Sequence, residues 1–136
     1  FDLKKMVSLD GDTATYMEYA YARVNSIFAR GGIDVDELRA STDPILIEHE
    51  AERALALALL RFPDALLDVV ADYRPNLLTS YLYELARVYS VFFEHCHVLK
   101  AESDQLRTSR LKLCDLTARI LKQGLNLLGI DVVERM

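Results

Sequence analysis

An all-α antiparallel bundle of five to six helices is the fold this sequence predicts, and three observations predict it. Apolar residues recur at steps of three and four, helix-start and helix-stop residues punctuate the chain, and no stretch alternates apolar with polar residues as a half-buried strand does. Asp10-Gly11 precedes a helical pattern instead of joining two apolar runs as a hairpin turn. With 136 residues, 51% of them hydrophobic, the chain can build one core without disulfide or metal support, and its few Gly and Pro exclude low-complexity classes. Its longest apolar run, Ala54 to Leu60, is bounded by Arg53 and Arg61 and falls far short of the roughly 20 residues of a membrane span.

Asp12 or Thr13 caps a first helix over about 13–30, in which Tyr16, Ala20, Val24, Ile27 and Phe28 form a stripe and Glu18 and Arg23 face outward; Gly31-Gly32 stops it. Asp34 before Asp36-Glu37 marks a short capped turn. Asp43-Pro44 then places a cap before proline at the first position of a helix over about 44–61, whose acidic start at Glu48, Glu50 and Glu52 and basic end at Arg61 suit the helix dipole. Pro63 interrupts it, and Asp64 to Tyr73 carries Leu66, Leu67, Val69 and Val70 up to Arg74-Pro75. The next helix, Asn76 to about His95, lines up Leu78, Leu82, Leu85, Ala86, Tyr89 and Phe92. Residues 96–104 form the longest loop. A last helix runs from about Asp104 to Leu128 with Leu113, Thr117, Ile120, Leu121, Gly124 and Leu128 inward, Gly124 admitting a close neighbour and Gly129 capping the end. No internal repeat of fixed period is visible.

Charge is unevenly placed. Residues 1–30 carry four basic and four acidic side chains, residues 31–95 five and twelve, and residues 96–136 seven and five, so a polyanion meets the two ends of the chain and avoids its middle. Cys96 and Cys114 allow one disulfide and form no CxxC unit, which makes a reduced compartment the default. The first residues, Phe1 to Lys5, hold neither a signal-peptide core nor a cleavage site and read as a cut from something longer.

Few motifs carry chemistry. Glu94 and His97 stand at the Glu-x-x-His spacing of di-iron bundles, but Leu46 and Phe92 precede His49 and His95 by three residues, so the second pair is missing and no metal is expected. Lys4-Lys5-Met6-Val7-Ser8 resembles the lysine-rich ATP loop of class I aminoacyl-tRNA synthetases without its second lysine. Phosphate-loop, dinucleotide, hydrolase and metalloprotease motifs are lacking, so no catalytic residue is expected in this chain. The seven tyrosines beside no tryptophan are more telling. Tyr16, Tyr19 and Arg23 share one face of the first helix, and aromatic planes beside an arginine are what unpaired RNA bases stack on. Spacing alone fits a core stripe better. It leaves Tyr81, Tyr83 and Tyr89 unplaced.

Several ordered motifs point further. Phe1-Asp2-Leu3-Lys4-Lys5-Met6, Gly11-Asp12-Thr13 and the run Tyr16 to Val24 resemble the stretch that closes the catalytic body of arginyl-tRNA synthetases and leads into their DALR-type anticodon-binding domain. Tyr81 to Ala86, Phe92-Phe93-Glu94, Arg110 to Leu113, Gly124 to Ile130 and the ending Glu134-Arg135-Met136 are similar to that domain's helices in order. Met17-Glu18 stands for a usual Leu-Gln, Tyr21 for a frequent His, Phe93 for a frequent Tyr and His97 for a frequent Pro or Trp.

The resemblance implies that residues 1–11 are a linker from a catalytic body and residues 12–136 one helical anticodon-binding domain, with Lys4 to Ser8 a decoy inside the linker. It implies that Tyr16, Tyr19 and Arg23 contact the anticodon arm of the tRNA and that Met136 helps enclose a base, a role extended to Phe93 and His97. Basic side chains of the last helix, Arg107, Lys112, Arg119 and Lys122, are expected to fix the RNA backbone, and Arg110 either joins them or forms a structural ion pair in the core. By resemblance the full enzyme, cytoplasmic, joins arginine to its tRNA using ATP and Mg, and this piece is inert in that reaction. The expected partners are the anticodon loop of tRNA(Arg) and the catalytic domain of the same enzyme, with no membrane and no DNA. Two alternatives stay open: a helical protein-protein interaction module, and the anticodon-binding domain of another class I synthetase, against which Tyr-x-x-Tyr-Ala and the Arg-Met ending speak.

Overall fold

The computed structural model describes residues 11–130. Six helices follow one another: α1 (Gly11–Gly31), α2 (Val35–Ala40), α3 (Glu50–Leu60), α4 (Phe62–Asp72), α5 (Pro75–His95) and α6 (Asp104–Leu127), and no strand occurs among the described residues. Met136 and all of the expected linker but Gly11, which is helical in α1, lie outside them.

α5 is the hub. It packs against α1, α3, α4 and α6, and its predicted stripe of Leu78, Leu82, Leu85, Ala86, Tyr89 and Phe92 is wholly buried. α6 crosses it closely at Gly124, where an added Cβ would lie 2.5 Å from Leu82 Cδ1. Helix ends follow local chemistry. Gly32, at a φ of +60°, lets the Ile33 N–H reach back to the Phe28 carbonyl and close α1. Asp34 accepts from the Glu37 N–H to start α2, and Ser103 accepts from the Leu106 N–H to start α6.

The expected helix over 44–61 begins six residues later. Residues 41–49 run instead as a non-helical strap across α6: buried Ser109 accepts from the Leu46 N–H at 2.7 Å and donates to the Leu46 carbonyl, and Lys112 donates to the Ser41 and Asp43 carbonyls. Those bonds satisfy backbone groups that a helix would otherwise pair internally, so Asp43-Pro44 caps nothing. His49 takes the cap, its Nδ1 accepting from the Ala51 N–H at 2.9 Å, while Glu52 reaches back to the Glu48 N–H.

Chain direction sets which side chains can share a surface. α5 runs antiparallel to α3, since Tyr81 donates to the Ala58 carbonyl and His95 stacks on His49, and antiparallel to α6, where Tyr89 meets Cys114 and Leu82 meets Gly124. α1 and α5 run the same way: Tyr16 lies beside Tyr83 and Ser90, and Arg23 beside Phe93. The intervening short helices and strap carry the chain back to the starting end before α5 sets out.

Candidate functional site

The parallel pairing of α1 and α5 builds a two-helix face in register. At its start, half-buried Tyr16 donates its hydroxyl to Ser90 Oγ at 3.1 Å, and its ring sits 5.3 Å from the exposed Tyr83 ring at 42°. One turn on, Tyr19 is 54% exposed, leaving a ring face free for a planar partner. The Arg23 guanidinium carbon lies over the Phe93 ring, 4.5 Å from its centroid, a cation–π contact worth about 0.5–1 kcal/mol. Tyr19, Arg23 and Phe93, with Ser26 and Arg30, line an open cavity of about 430 Å³.

A second cavity of about 380 Å³ begins on the other side of Phe93 and Arg30 and extends along the loop after α5 to His97 and Lys100. That loop is held from below. The Arg110 Nε bonds Glu52 Oε2 at 3.1 Å, both side chains being buried, and the same guanidinium donates to the His97 carbonyl at 2.7 Å. Arg110 is therefore a structural ion pair, and its second bond fixes the backbone that presents His97.

The structure thus brings Tyr16, Tyr19, Arg23, Phe93 and His97 along one face. It does not bring Arg107, Lys112 or Arg119 of the last helix there. Lys112 is committed to the strap carbonyls, Arg119 lies 3.8 Å from Asp115, and Arg107 borders a cleft shared with Asp34, Glu37 and Asp43. Lys122 is exposed on the same helix. Sequence reasoning missed Arg30, Tyr83 and Lys100. Arg30 follows Arg23 by seven residues, and Tyr83, Ser90 and Phe93 are spaced by seven and three, so helical spacing could have found the first two once the helices were paired.

Other reactive groups are turned inward. Cys96 and Cys114 are buried free thiols, and burial pushes the Cys96 pKa up and that of Cys114 to about 12, which leaves both protonated and unreactive. Burial likewise raises Tyr89, whose hydroxyl lies 3.8 Å from Cys114 Sγ. Glu94 and His97 find no metal-ligating company: among the described residues no three His, Cys, Asp or Glu side chains gather. His95 instead stacks on His49, their ring centroids 6.0 Å apart and 13° from coplanar. No helix among the described residues is long and apolar enough to cross a membrane.

Comparison with known proteins decides the family. The profile of the DALR anticodon binding domain matches residues 17–136. The chain belongs to that family. This DALR domain is 51% identical over its whole length to the arginine-tRNA ligase of Yersinia pseudotuberculosis and 48% identical to that of Hamiltonella defensa, and it spans 23% of the length of each. Among solved structures, the arginyl-tRNA synthetase of Thermus thermophilus superposes with a TM-score of 0.80 at 33% identity, over 98% of this chain and 23% of that one. The Plasmodium falciparum arginyl-tRNA synthetase matches with the same TM-score at 31% identity, over 100% of this chain and 23% of its own.

Proposed function

We propose that this DALR domain reads the anticodon loop of arginine tRNA, as part of a longer cytoplasmic enzyme that attaches arginine to that tRNA with ATP. The observation that carries the reading is the α1–α5 face, where Tyr19, Arg23 and Phe93 present stacking surfaces and a cation to an open cavity. Unpaired bases lose their mutual stacking when splayed and regain it on aromatic planes, each worth about 1–3 kcal/mol. Tyr16 and Tyr83 form the start of that platform, His97 its loop end, and Met136 is assigned a base by resemblance. ATP and Mg belong to the catalytic body of the longer enzyme, and no residue here is assigned to them. Kinship with arginine-tRNA ligases favours arginine over other class I synthetases.

The test is a titration with a fluorescent anticodon stem-loop of arginine tRNA at low salt, beside one whose middle anticodon base is changed, on this chain and on the full-length enzyme. Preferential binding of the cognate loop is expected. Equal binding of both loops by the full-length enzyme removes base readout from this face.

A second reading has its own surface. Leu60 at the end of α3, Leu67 and Val70 on α4 and Tyr73 just after it are 74%, 67%, 70% and 88% exposed. Such a face suits protein docking, and salt-insensitive binding to a protein with none to RNA would select it.

A further inference from the structure

Arg30 and Phe93 are the two residues common to both cavities of the α1–α5 face and form the wall between them. Phe93 offers an aromatic plane there. Arg30 is exposed, about two turns of helix beyond Arg23, and has no hydrogen-bond or ion-pair partner among the described residues. A guanidinium whose donors are unengaged among the described residues, at the divide between two hollows, suits the fork geometry of a phosphate.

We infer that Arg30 holds the phosphodiester that joins two successive splayed bases, one in each cavity. The inference rests on the RNA reading and deepens it. Two neighbouring bases can enter separate hollows only if the linkage between them passes over the divide, and the cation there is Arg30. Lys100 also lines the second cavity and adds a positive charge there. Glu94, the acid among the groups lining that cavity, repels phosphate and so keeps the backbone on the Arg30 side. Arg23 is less suited to the task, since its planar group is already laid over Phe93.

The test uses the full-length enzyme and anticodon stem-loops in which one loop phosphate at a time is replaced by an uncharged methylphosphonate. Arg30→Ala is expected to weaken binding of the cognate loop about tenfold, a loss of about 1.4 kcal/mol, and to reduce the slope of log K against log salt by about 0.7, one neutralised phosphate on an unpaired strand. In the parent enzyme one linkage should matter that no longer matters in Arg30→Ala, while the others keep their cost. Arg30→Lys should retain the salt slope and recover part of the affinity. Discrimination at the middle anticodon base should survive both changes and fall in Tyr19→Ala, which reports on the base reading separately. The inference is overturned if every linkage costs the same with and without Arg30, if the salt slope is unchanged, or if Arg30→Ala erases base discrimination. Loss of the inference with Tyr19→Ala still impaired leaves the RNA reading standing; equal binding of cognate and changed loops by the parent enzyme removes both.

Discussion

The two sides of this domain use their polar groups differently. On the side of α6 that meets α2, α3 and the strap, the charged and polar groups are absorbed by the protein: Arg110 by Glu52 and the His97 carbonyl, Ser109 by Leu46, Lys112 by Ser41 and Asp43, and Arg39 by both oxygens of Asp115 at 3.0 Å. On the α1–α5 side the Tyr19 ring, the outer faces of Arg23 and Phe93, and Arg30 are left open to solvent. Both sides hold arginines at helical spacing in an equally well-packed frame. What separates the proposed binding face from the scaffold among the described residues is hydrogen-bonding and stacking capacity that folding has not used.

The sharpest way to break that contrast is to remove a partner on the absorbed side. Glu52→Ala leaves the Arg110 guanidinium buried without its counter-charge, and the expected loss is about 3–5 kcal/mol of unfolding free energy, read by urea denaturation. Where the variant folds, affinity for the anticodon stem-loop should fall only as far as the His97 loop shifts. Ser109→Ala removes both bonds to Leu46 and loosens the strap there, at a cost of about 1–3 kcal/mol, and hydrogen exchange at the Leu46 amide should accelerate accordingly. If neither change moves stability, the absorbed side is not what holds the frame.

Tyr19→Ala probes the opposite side. Tyr19 is more than half exposed, so unfolding free energy should stay within about 0.5 kcal/mol, while binding of the stem-loop weakens by about 1–3 kcal/mol, the worth of one base stack. A large loss of helicity would mean that the ring belongs to the core.

How far the sequence revealed this contrast depends on what each residue's pattern encodes. Helices α1, α5 and α6 were legible because their apolar periodicity is long and Gly31-Gly32, Pro75 and Gly129 act locally at their ends, although Asp12 and Thr13, expected to cap α1, lie inside a helix that includes Gly11. The strap was not legible, because Asp43-Pro44 is a valid local cap and only a distant hydroxyl, on Ser109, overrides it. Tyr16, Tyr19 and Arg23 share a face by helix geometry alone, but that Phe93 stands under Arg23 depends on α1 and α5 running parallel, which no local signal specifies. The same blindness put Lys112 among the expected RNA contacts: its charge was visible in the sequence, its two carbonyl partners were not. Resemblance supplied Phe93 and His97 where spacing could not.

Alkaline pH tests the frame more gently. Tyr81 donates to the Ala58 carbonyl at 2.6 Å, and burial raises its pKa to about 12 from the ordinary 10. A raised pKa means the folded state holds the proton more tightly than the unfolded chain. Its contribution is therefore complete below about pH 10 and is lost as pH climbs from there through about 12. Tyr81→Phe should have lower stability at neutral pH and a shallower decline over that window, measured by urea unfolding at several alkaline pH values. Parallel declines would show that other groups, such as Tyr89 and Cys114, carry the alkaline loss.

The smallest expected effect is the one that tests the contrast most directly. Arg119 is 54% exposed and pairs with Asp115 at 3.8 Å, an acid that Arg39 already grips with two bonds. Removing it leaves Asp115 satisfied, so Arg119→Ala should change stability by no more than about 0.5 kcal/mol, as exposed helical pairs do. It sits on the absorbed side, beside Leu38, Arg39 and Ile45, away from the Tyr19–Phe93 cavity. The salt slope of stem-loop binding should therefore be the same in Arg119→Ala as in the parent. A slope reduced by about 0.7 would mean that a phosphate reaches the last helix after all, and that a cation can hold an acid of its own protein weakly enough to release it to RNA.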